Sequence, residues 1–173
     1  TGLPSCTLGL CTRQEFRLCS RGAVMAMLSN WAKISKGLMI VTCPSCSTKN
    51  RIPPRHLADS GRCGSCKATL GPLDRPIDVD GATFDAIVGG TEVPVLVDFW
   101  AAWCGPCRMA APHVAQAAAK LAGRALVLKV DTEREPGLAD RYGVRGIPNF
   151  VVLRRGQVVA QQAGVMGDEQ LVR

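Results

Sequence analysis

The sequence predicts an α/β fold, a mixed central sheet flanked by helices, preceded by a small zinc-ribbon module. Three observations carry that prediction. Apolar runs of strand length at Val95–Trp100 and 125–130 alternate with helical patterns. A hairpin signal closes the chain, with strands at 150–153 and 157–160 around the turn Arg154-Arg155-Gly156. Two CxxC pairs separated by sixteen residues stand in front of all of this.

Taken in order, residues 1–38 are the least legible. They hold Cys6, Cys11 and Cys19 outside any pair and show no sustained period of 2.0 or 3.6. Arg13, Arg17 and Arg21 with the single acid Glu15 have the flavour of a targeting peptide. The reading preferred is an unassigned extension, disordered or non-native, with Met39 as the true start.

Residues 39–70 read as a metal module. Cys43-Pro44-Ser45-Cys46 and Cys63-Gly64-Ser65-Cys66 fall within the spacing of about 15–20 residues expected of a two-knuckle zinc site. Four thiolates close a tetrahedral shell with no open position for water, so the zinc is structural. A segment this short buries too little core to fold unaided, and the metal supplies the missing stability. The bland reading is two disulfides or idle thiols. His56 lies between the knuckles with four cysteines already available and reads as a surface residue.

Residues 71–76, rich in turn formers, read as a linker to a domain at 77–173. There, residues 77–80 read as a short strand, and Thr83 as the N-cap of a helix that stops at Gly89-Gly90. Val95–Trp100 is nearly all apolar, as for a strand covered on both faces. Residues 104–121 read as a helix that Pro112 should kink. Residues 125–130 form a second buried strand, and 136–142 a short helix ended by Gly143. A last helix should begin near Gly167-Asp168-Glu169-Gln170, and most of it is expected to be missing beyond Arg173.

The chemistry centres on Trp103-Cys104-Gly105-Pro106-Cys107, where a strand hands over to a helix. A CxxC by itself is ambiguous between half a metal site and a redox dithiol. Context favours redox, because no second Cys or His pair follows and the only nearby histidine is His113. The first thiol then sits at a helix N-terminus, where free N–H groups and the macrodipole favour a thiolate.

Composition narrows the function classes. Of 173 residues 47% are apolar and 20% charged, ordinary for a globular chain, and no apolar run approaches the roughly 20 residues needed to span a bilayer. The net charge of +7 divides into +4 on residues 1–38, +2 on 39–80 and +1 on 81–173, so the main domain is almost neutral. Neither nucleic acid nor a membrane is expected as a partner. No aromatic residue stands between Cys43 and Cys66 to stack a base. Six of the nine cysteines fall in CxxC pairs with no convincing signal peptide, which points to a reducing cytoplasm.

Several of these residues match a known pattern. Val97-Asp98-Phe99-Trp100-Ala101, Trp103-Cys104-Gly105-Pro106-Cys107, Ala111-Pro112, Lys129-Val130-Asp131, Tyr142-Gly143-Val144-Arg145-Gly146-Ile147-Pro148, Gly156 and Gly164 resemble thioredoxin over about 77–173. With the four-cysteine segment in front, 39–173 resembles the zinc-containing bacterial thioredoxin 2 subfamily.

The resemblance implies a protein-disulfide reductase serving redox homeostasis and the oxidative stress response. It makes Cys104 the attacking thiolate and Cys107 the buried resolving thiol, the pair that forms the redox disulfide. Asp98, buried in an apolar strand and hence raised in pKa, would accept the proton of Cys107, with Lys129 as charge partner. Trp103, Gly105, Pro106, Ile147 and Pro148, the last cis in the family, would form the substrate platform. Trp100 would shield the site. Asn149 departs from the threonine usual after that proline. The partners implied are disulfide-bearing proteins and a thioredoxin reductase using NADPH. Neither flavin nor nicotinamide is expected on this chain, which has no GxGxxG loop. An oxidase or isomerase is a weaker alternative, because oxidising relatives usually carry a histidine where Gly105-Pro106 stands. An alternative from another class is a zinc-dependent binding or chaperone-like module with a redox-sensing ribbon.

Overall fold

The computed structural model describes residues 32–35 and 38–173; Cys6, Cys11, Cys19, Arg13, Glu15, Arg17 and Arg21 lie outside them. The chain begins with three antiparallel strands in sequence order, β1 (Ala32–Ser35), β2 (Leu38–Thr42) and β3 (Lys49–Ile52). A 3-10 turn at Pro54–His56 leads to the two-stranded ribbon of β4 (Gly61–Arg62) and β5 (Thr69–Leu70). Each hairpin ends in a CxxC knuckle closed by a left-handed residue, Ser47 at φ 58° and Lys67 at φ 61°. Cys43, Cys63 and Leu70 form the small core between them.

The larger sheet comprises β6 (Ile77–Asp78), β7 (Val95–Trp100), β8 (Leu126–Asp131), β9 (Asn149–Arg154) and β10 (Gln157–Ala163). Their spatial order is β10-β9-β7-β8-β6. The pairs β6–β8 and β7–β8 are parallel, whereas β7–β9 and β9–β10 are antiparallel, so the sheet is mixed as the alternating pattern predicts. The hairpin turn is Arg155-Gly156, both left-handed, the conformation whose twist suits a two-residue connection.

Helices α1 (Gly81–Gly90), α2 (Gly105–Leu121), α3 (Pro136–Arg141) and α4 (Asp168–Val172) complete the fold. Among the described residues, no helix is long and apolar enough to cross a membrane. One correction concerns α1. Its N-cap is Asp80, whose carboxylate accepts the Thr83 N–H at 2.8 Å, while Thr83 itself is buried inside the first turn. A stronger capping side chain three residues earlier takes the role expected of Thr83. Helix α2 is continuous across Pro112, with one internal hydrogen bond missing there.

The two faces of the sheet read directly from β7. Leu96 packs with Ala110, Val114, Ala117 and Ala118 of α2, Val127 of β8, Phe150 of β9 and Leu171 of α4. Side chains alternate along a strand, so Asp98 and Trp100 share the α2 face with Leu96, and Lys129 shares it with Val127. The opposite face buries Val97 and Phe99. Tyr142 lies edge-on to Phe84 of α1 at 5.6 Å and tilted against Phe99 at 6.1 Å.

The ribbon and the larger sheet belong to one compact unit. They meet at the C-terminal ends of α1 and α2. Leu57 and Leu73 are buried, and the Leu73 N–H donates to the Leu57 carbonyl at 3.1 Å, which pins the segment 71–76. Gly90 lies so close to Pro54 that a Cβ there would stand 2.9 Å from the proline Cβ. Gly89, one residue earlier in the same helix, has nothing within 4 Å of that position. Replacing Gly90 with Ala is therefore expected to cost about 1 kcal/mol by overpacking, whereas Gly89→Ala gains about 0.5–1 kcal/mol from helix propensity. Thermal unfolding of the two variants, read side by side, checks the opposite signs.

Candidate active site and metal centre

The strand β7 ends at Trp100, and the loop 101–104 turns the chain into α2. Cys104 caps that helix: its Sγ accepts the Cys107 N–H at 3.1 Å. Cys104 and Cys107 are joined by a disulfide with their Cα atoms 5.2 Å apart. Gly105 and Pro106 occupy the first positions of α2, where proline's missing N–H costs nothing. Both sulfur-bearing residues are almost completely enclosed, Cys104 at 2% exposure and Cys107 at 6%, so exposure does not distinguish them. Position does: Cys104 Sγ also lies 3.8 Å from the carbonyl oxygen of Ile147, whereas Cys107 sits one turn into the helix.

Ile147 and Pro148 arrive from the loop before β9, and the peptide between them is cis. Ile147 and Trp100 both pack against the small cluster of Ala101, Cys104 and Cys107. The Pro148 carbonyl accepts the Gly164 N–H at 2.9 Å, which ties this loop to the end of β10. Trp103 stands out from the surface at 66% exposure. Cys104, Cys107, Ile147 and Trp100 thus converge at one end of the sheet, with Trp103, Gly105 and Pro106 beside them in the chain.

Asp98 lies beneath this end. It pairs in register with Lys129 of β8 on one side and Phe150 of β9 on the other. It is 3% exposed, and its Oδ1 has no hydrogen-bond partner among the described residues. Burial pushes the carboxyl up to about 6; the positive charge of Lys129 pulls it down and the negative charge of Asp78 helps raise it. Lys129 is not a direct hydrogen-bond partner of Asp98. Its ammonium sits 4.1 Å from the ring centroid of Trp100 and 3.9 Å from Asp78. Sequence reasoning missed both Asp78 and the cation–π partnership of Trp100. The alternation of Ile77-Asp78-Val79-Asp80 carries the signal for a strand acid, but which strand it faces is not written there.

Upstream of this dithiol in the chain, the four ribbon cysteines come together. Their Sγ atoms all lie within 4.8 Å of one another, with Cys43–Cys66 at 3.7 Å and Cys46–Cys63 at 3.6 Å. These separations are too long for disulfides and match the roughly 3.8 Å edge of a tetrahedron with Zn–S bonds near 2.3 Å. The thiols also show why a cation suits them. The Thr48 hydroxyl and N–H bring Cys46 down to about 6. At Cys66 the Ala68 amide pulls down, but Cys46, burial, Cys43 and Cys63 together push it up to about 12. Four thiols this close cannot all ionise without a positive charge among them. Asn50 locks the knuckles together, accepting the Gly64 N–H at 2.9 Å and directing its amide toward Cys63 Sγ at 3.6 Å. His56 is half exposed and bonded to Asp59 at 2.7 Å, outside the cluster.

A dithiol capping a helix beside a cis X–Pro loop, over a buried acid on a mixed sheet, defines a thiol-disulfide oxidoreductase of the thioredoxin fold. Comparison with known proteins agrees. The Thioredoxin family profile matches residues 75–173, and the profile for the N-terminal part of Thioredoxin 2 matches residues 42–68. Thioredoxin C-3 of Corynebacterium nephridii is 41% identical over 128 residues, 74% of this chain and 87% of its own length. Thioredoxin of Haemophilus influenzae is 37% identical over 99 residues, 57% and 92% of the two chains. The solved structure of a single-site mutant thioredoxin from Halobacterium salinarum superposes with a TM-score of 0.55 at 36% identity, covering 61% of this chain and 90% of that one. The chain belongs to the thioredoxin family and carries the zinc-ribbon segment of thioredoxin 2.

The raised pKa of Asp98 fixes the sign of a stability effect. Folding favours the protonated acid, so its contribution is full below the ordinary carboxylate pKa and is lost as pH rises through about 6. Asp98→Asn is expected to unfold like the parent protein at pH 4. Above pH 7 it should be more stable by about 2–3 kcal/mol, since each pKa unit is worth about 1.36 kcal/mol. Denaturant titrations across that range test the sign.

Proposed function

We propose that this protein is a protein-disulfide reductase in which Cys104 attacks and Cys107 resolves. The observation that carries the reading is the position of Cys104 Sγ, at the cap of a 17-residue helix and 3.8 Å from the Ile147 carbonyl. The helix N-terminus and the Cys107 N–H favour negative charge on that sulfur, which makes the reduced Cys104 a thiolate near neutral pH. The thiolate attacks one sulfur of a substrate disulfide, expels the other as a thiolate and forms a mixed disulfide. Cys107 then loses its proton to the Asp98 carboxylate and attacks Cys104 Sγ, releasing the second substrate thiol and leaving the Cys104–Cys107 disulfide. A carboxyl near pKa 6 is matched to this transfer at neutral pH. The positive charge of Lys129 favours the ionised form of the acid, the form that accepts the proton. Trp103, Gly105, Pro106, Ile147 and Pro148 bound the platform on which an extended substrate segment lies.

The disulfide is returned to the dithiol by a thioredoxin reductase that draws on NADPH, in a reducing compartment such as the cytoplasm. Redox homeostasis and the response to oxidative stress follow from that cycle. The ribbon, residues 39–70 joined through 71–76 to the redox domain at 77–173, holds one structural zinc through Cys43, Cys46, Cys63 and Cys66. The zinc would neutralise the four thiolates and fasten the two knuckles. Helix α2 spans about 25 Å between the dithiol and the end that meets the ribbon, so the two sulfur sites do not exchange within one molecule.

A coupled assay with thioredoxin reductase, NADPH and insulin tests this reading. Cys104→Ser should abolish insulin reduction, and Cys107→Ser should accumulate a mixed disulfide visible by non-reducing electrophoresis. Replacing Cys43 and Cys46 together should release zinc with less than about a threefold loss of reductase rate, because a zinc without an open coordination position stabilises rather than catalyses. Unimpaired turnover of Cys104→Ser would overturn the assignment.

A further inference from the structure

The ribbon carries a cleft that the redox chemistry does not use. It has a volume of about 740 Å³ and is walled by β3 with Thr48 and Pro53 on one side and by Ser60, Gly61, Arg62 and Gly64 on the other. Both walls are strand edges. Among the described residues β3 pairs only with β2, and β4 only with β5.

The register shows which main-chain groups these edges present. Cys43 and Thr48 are opposite each other and bonded through the Cys43 N–H, so Thr48 faces β2. Alternation along an antiparallel strand then turns the N–H and C=O of Lys49 and Arg51 away from β2. Likewise Cys63 bonds to Ala68, which turns the main-chain groups of Arg62 away from β5. The cleft is thus lined by peptide donors and acceptors in strand geometry, unpaired among the described residues. Asn50, whose side chain links β3 to Gly64, fixes the two walls relative to each other.

Charge defines what fits. Lys49, Arg51 and Arg62 line the cleft, and none of them has a carboxylate within ion-pair range among the described residues. The one acid in the lining, Asp59, is occupied by His56, which in turn accepts from Arg55. Among the described residues no Phe, Tyr or Trp lines the cleft, and the one ring that does, His56, has both its nitrogens engaged by Arg55 and Asp59, so stacking platforms for a run of bases are lacking.

We propose that this cleft binds an extended acidic segment of a partner protein, which adds as a strand to the free edge of β3 and places its carboxylates against Lys49, Arg51 and Arg62. The ribbon thereby serves as a docking site on the side of the molecule away from the dithiol. Binding of this kind holds a partner without covering Cys104, and it is independent of the redox assignment.

The test uses the full, zinc-loaded chain and a fluorescein-labelled peptide of alternating glutamate and valine, followed by fluorescence anisotropy. Saturable binding is expected, weakened about tenfold by Arg51→Glu, with zinc content and insulin reduction unchanged in that variant. The same peptide N-methylated at alternate amides should lose binding, because it cannot complete the ladder with β3. Equal binding of the methylated peptide would reduce the cleft to a non-specific cationic surface and overturn the proposal. So would the absence of binding, or tighter binding of a single-stranded oligothymidine of the same charge, which would make the partner nucleic acid.

Discussion

Burial of β7 is the constraint on which the rest of this molecule depends. The strand is hydrogen-bonded to β8 and β9 and covered on both faces, so Val95 to Phe99 are enclosed one after another. An enclosed strand cannot slip, since a shift of one residue would send Asp98 to the opposite face and Phe99 toward α2. The fixed register delivers the loop 101–104 to the N-terminus of α2 at one height above the sheet. It also commits a carboxyl to an apolar layer, where desolvation raises it to about 6. The energetic cost of Asp98 and the proton-acceptor role proposed for it would have the same origin.

The six described cysteines solve two different electrostatic problems. Cys104 has a helix terminus to receive its charge and one neighbouring cysteine with which to form a bond. The ribbon cysteines have no helix, and hydrogen bonds to the knuckles accommodate only part of four negative charges. The first arrangement lets electrons come and go; the second calls for a permanent cation. Helix α2 keeps the two apart, with the dithiol at its first turn and the ribbon packed near its last. The close approach of Pro54 to Gly90 and the buried Leu57 and Leu73 make the ribbon part of the same body as the sheet rather than a tethered appendage.

Much of the site is legible in the unfolded chain because its signals are local. A CxxC needs only the strand before it and the helix after it, and periodicity marks both. The two knuckles likewise carry their own turns and spacing. Asp98 stands out because a carboxylate in the middle of an apolar run is costly to bury and is kept only where its charge is used. The cap of α1 is not legible in the same way, because Asp80 and Thr83 are both good caps and the sequence does not say which backbone turns first. Asn149, a departure from the family by sequence, is buried in the fold and accepts from Gln161 across the hairpin at 3.1 Å.

By itself, then, the sequence determined the class of fold, the dithiol and the two cysteine knuckles, since each depends on neighbours within a turn or a strand. Only the tertiary structure decided what Lys129 touches, that Asp78 belongs to the field around Asp98, and that the ribbon lies at the end of α2 remote from Cys104. It alone decided that Lys49, Arg51 and Arg62 border one cleft. These are contacts between segments far apart in the chain, and they are set by strand order and by how helices settle on a sheet. Hydrophobic patterning says that a face will be covered but not by what.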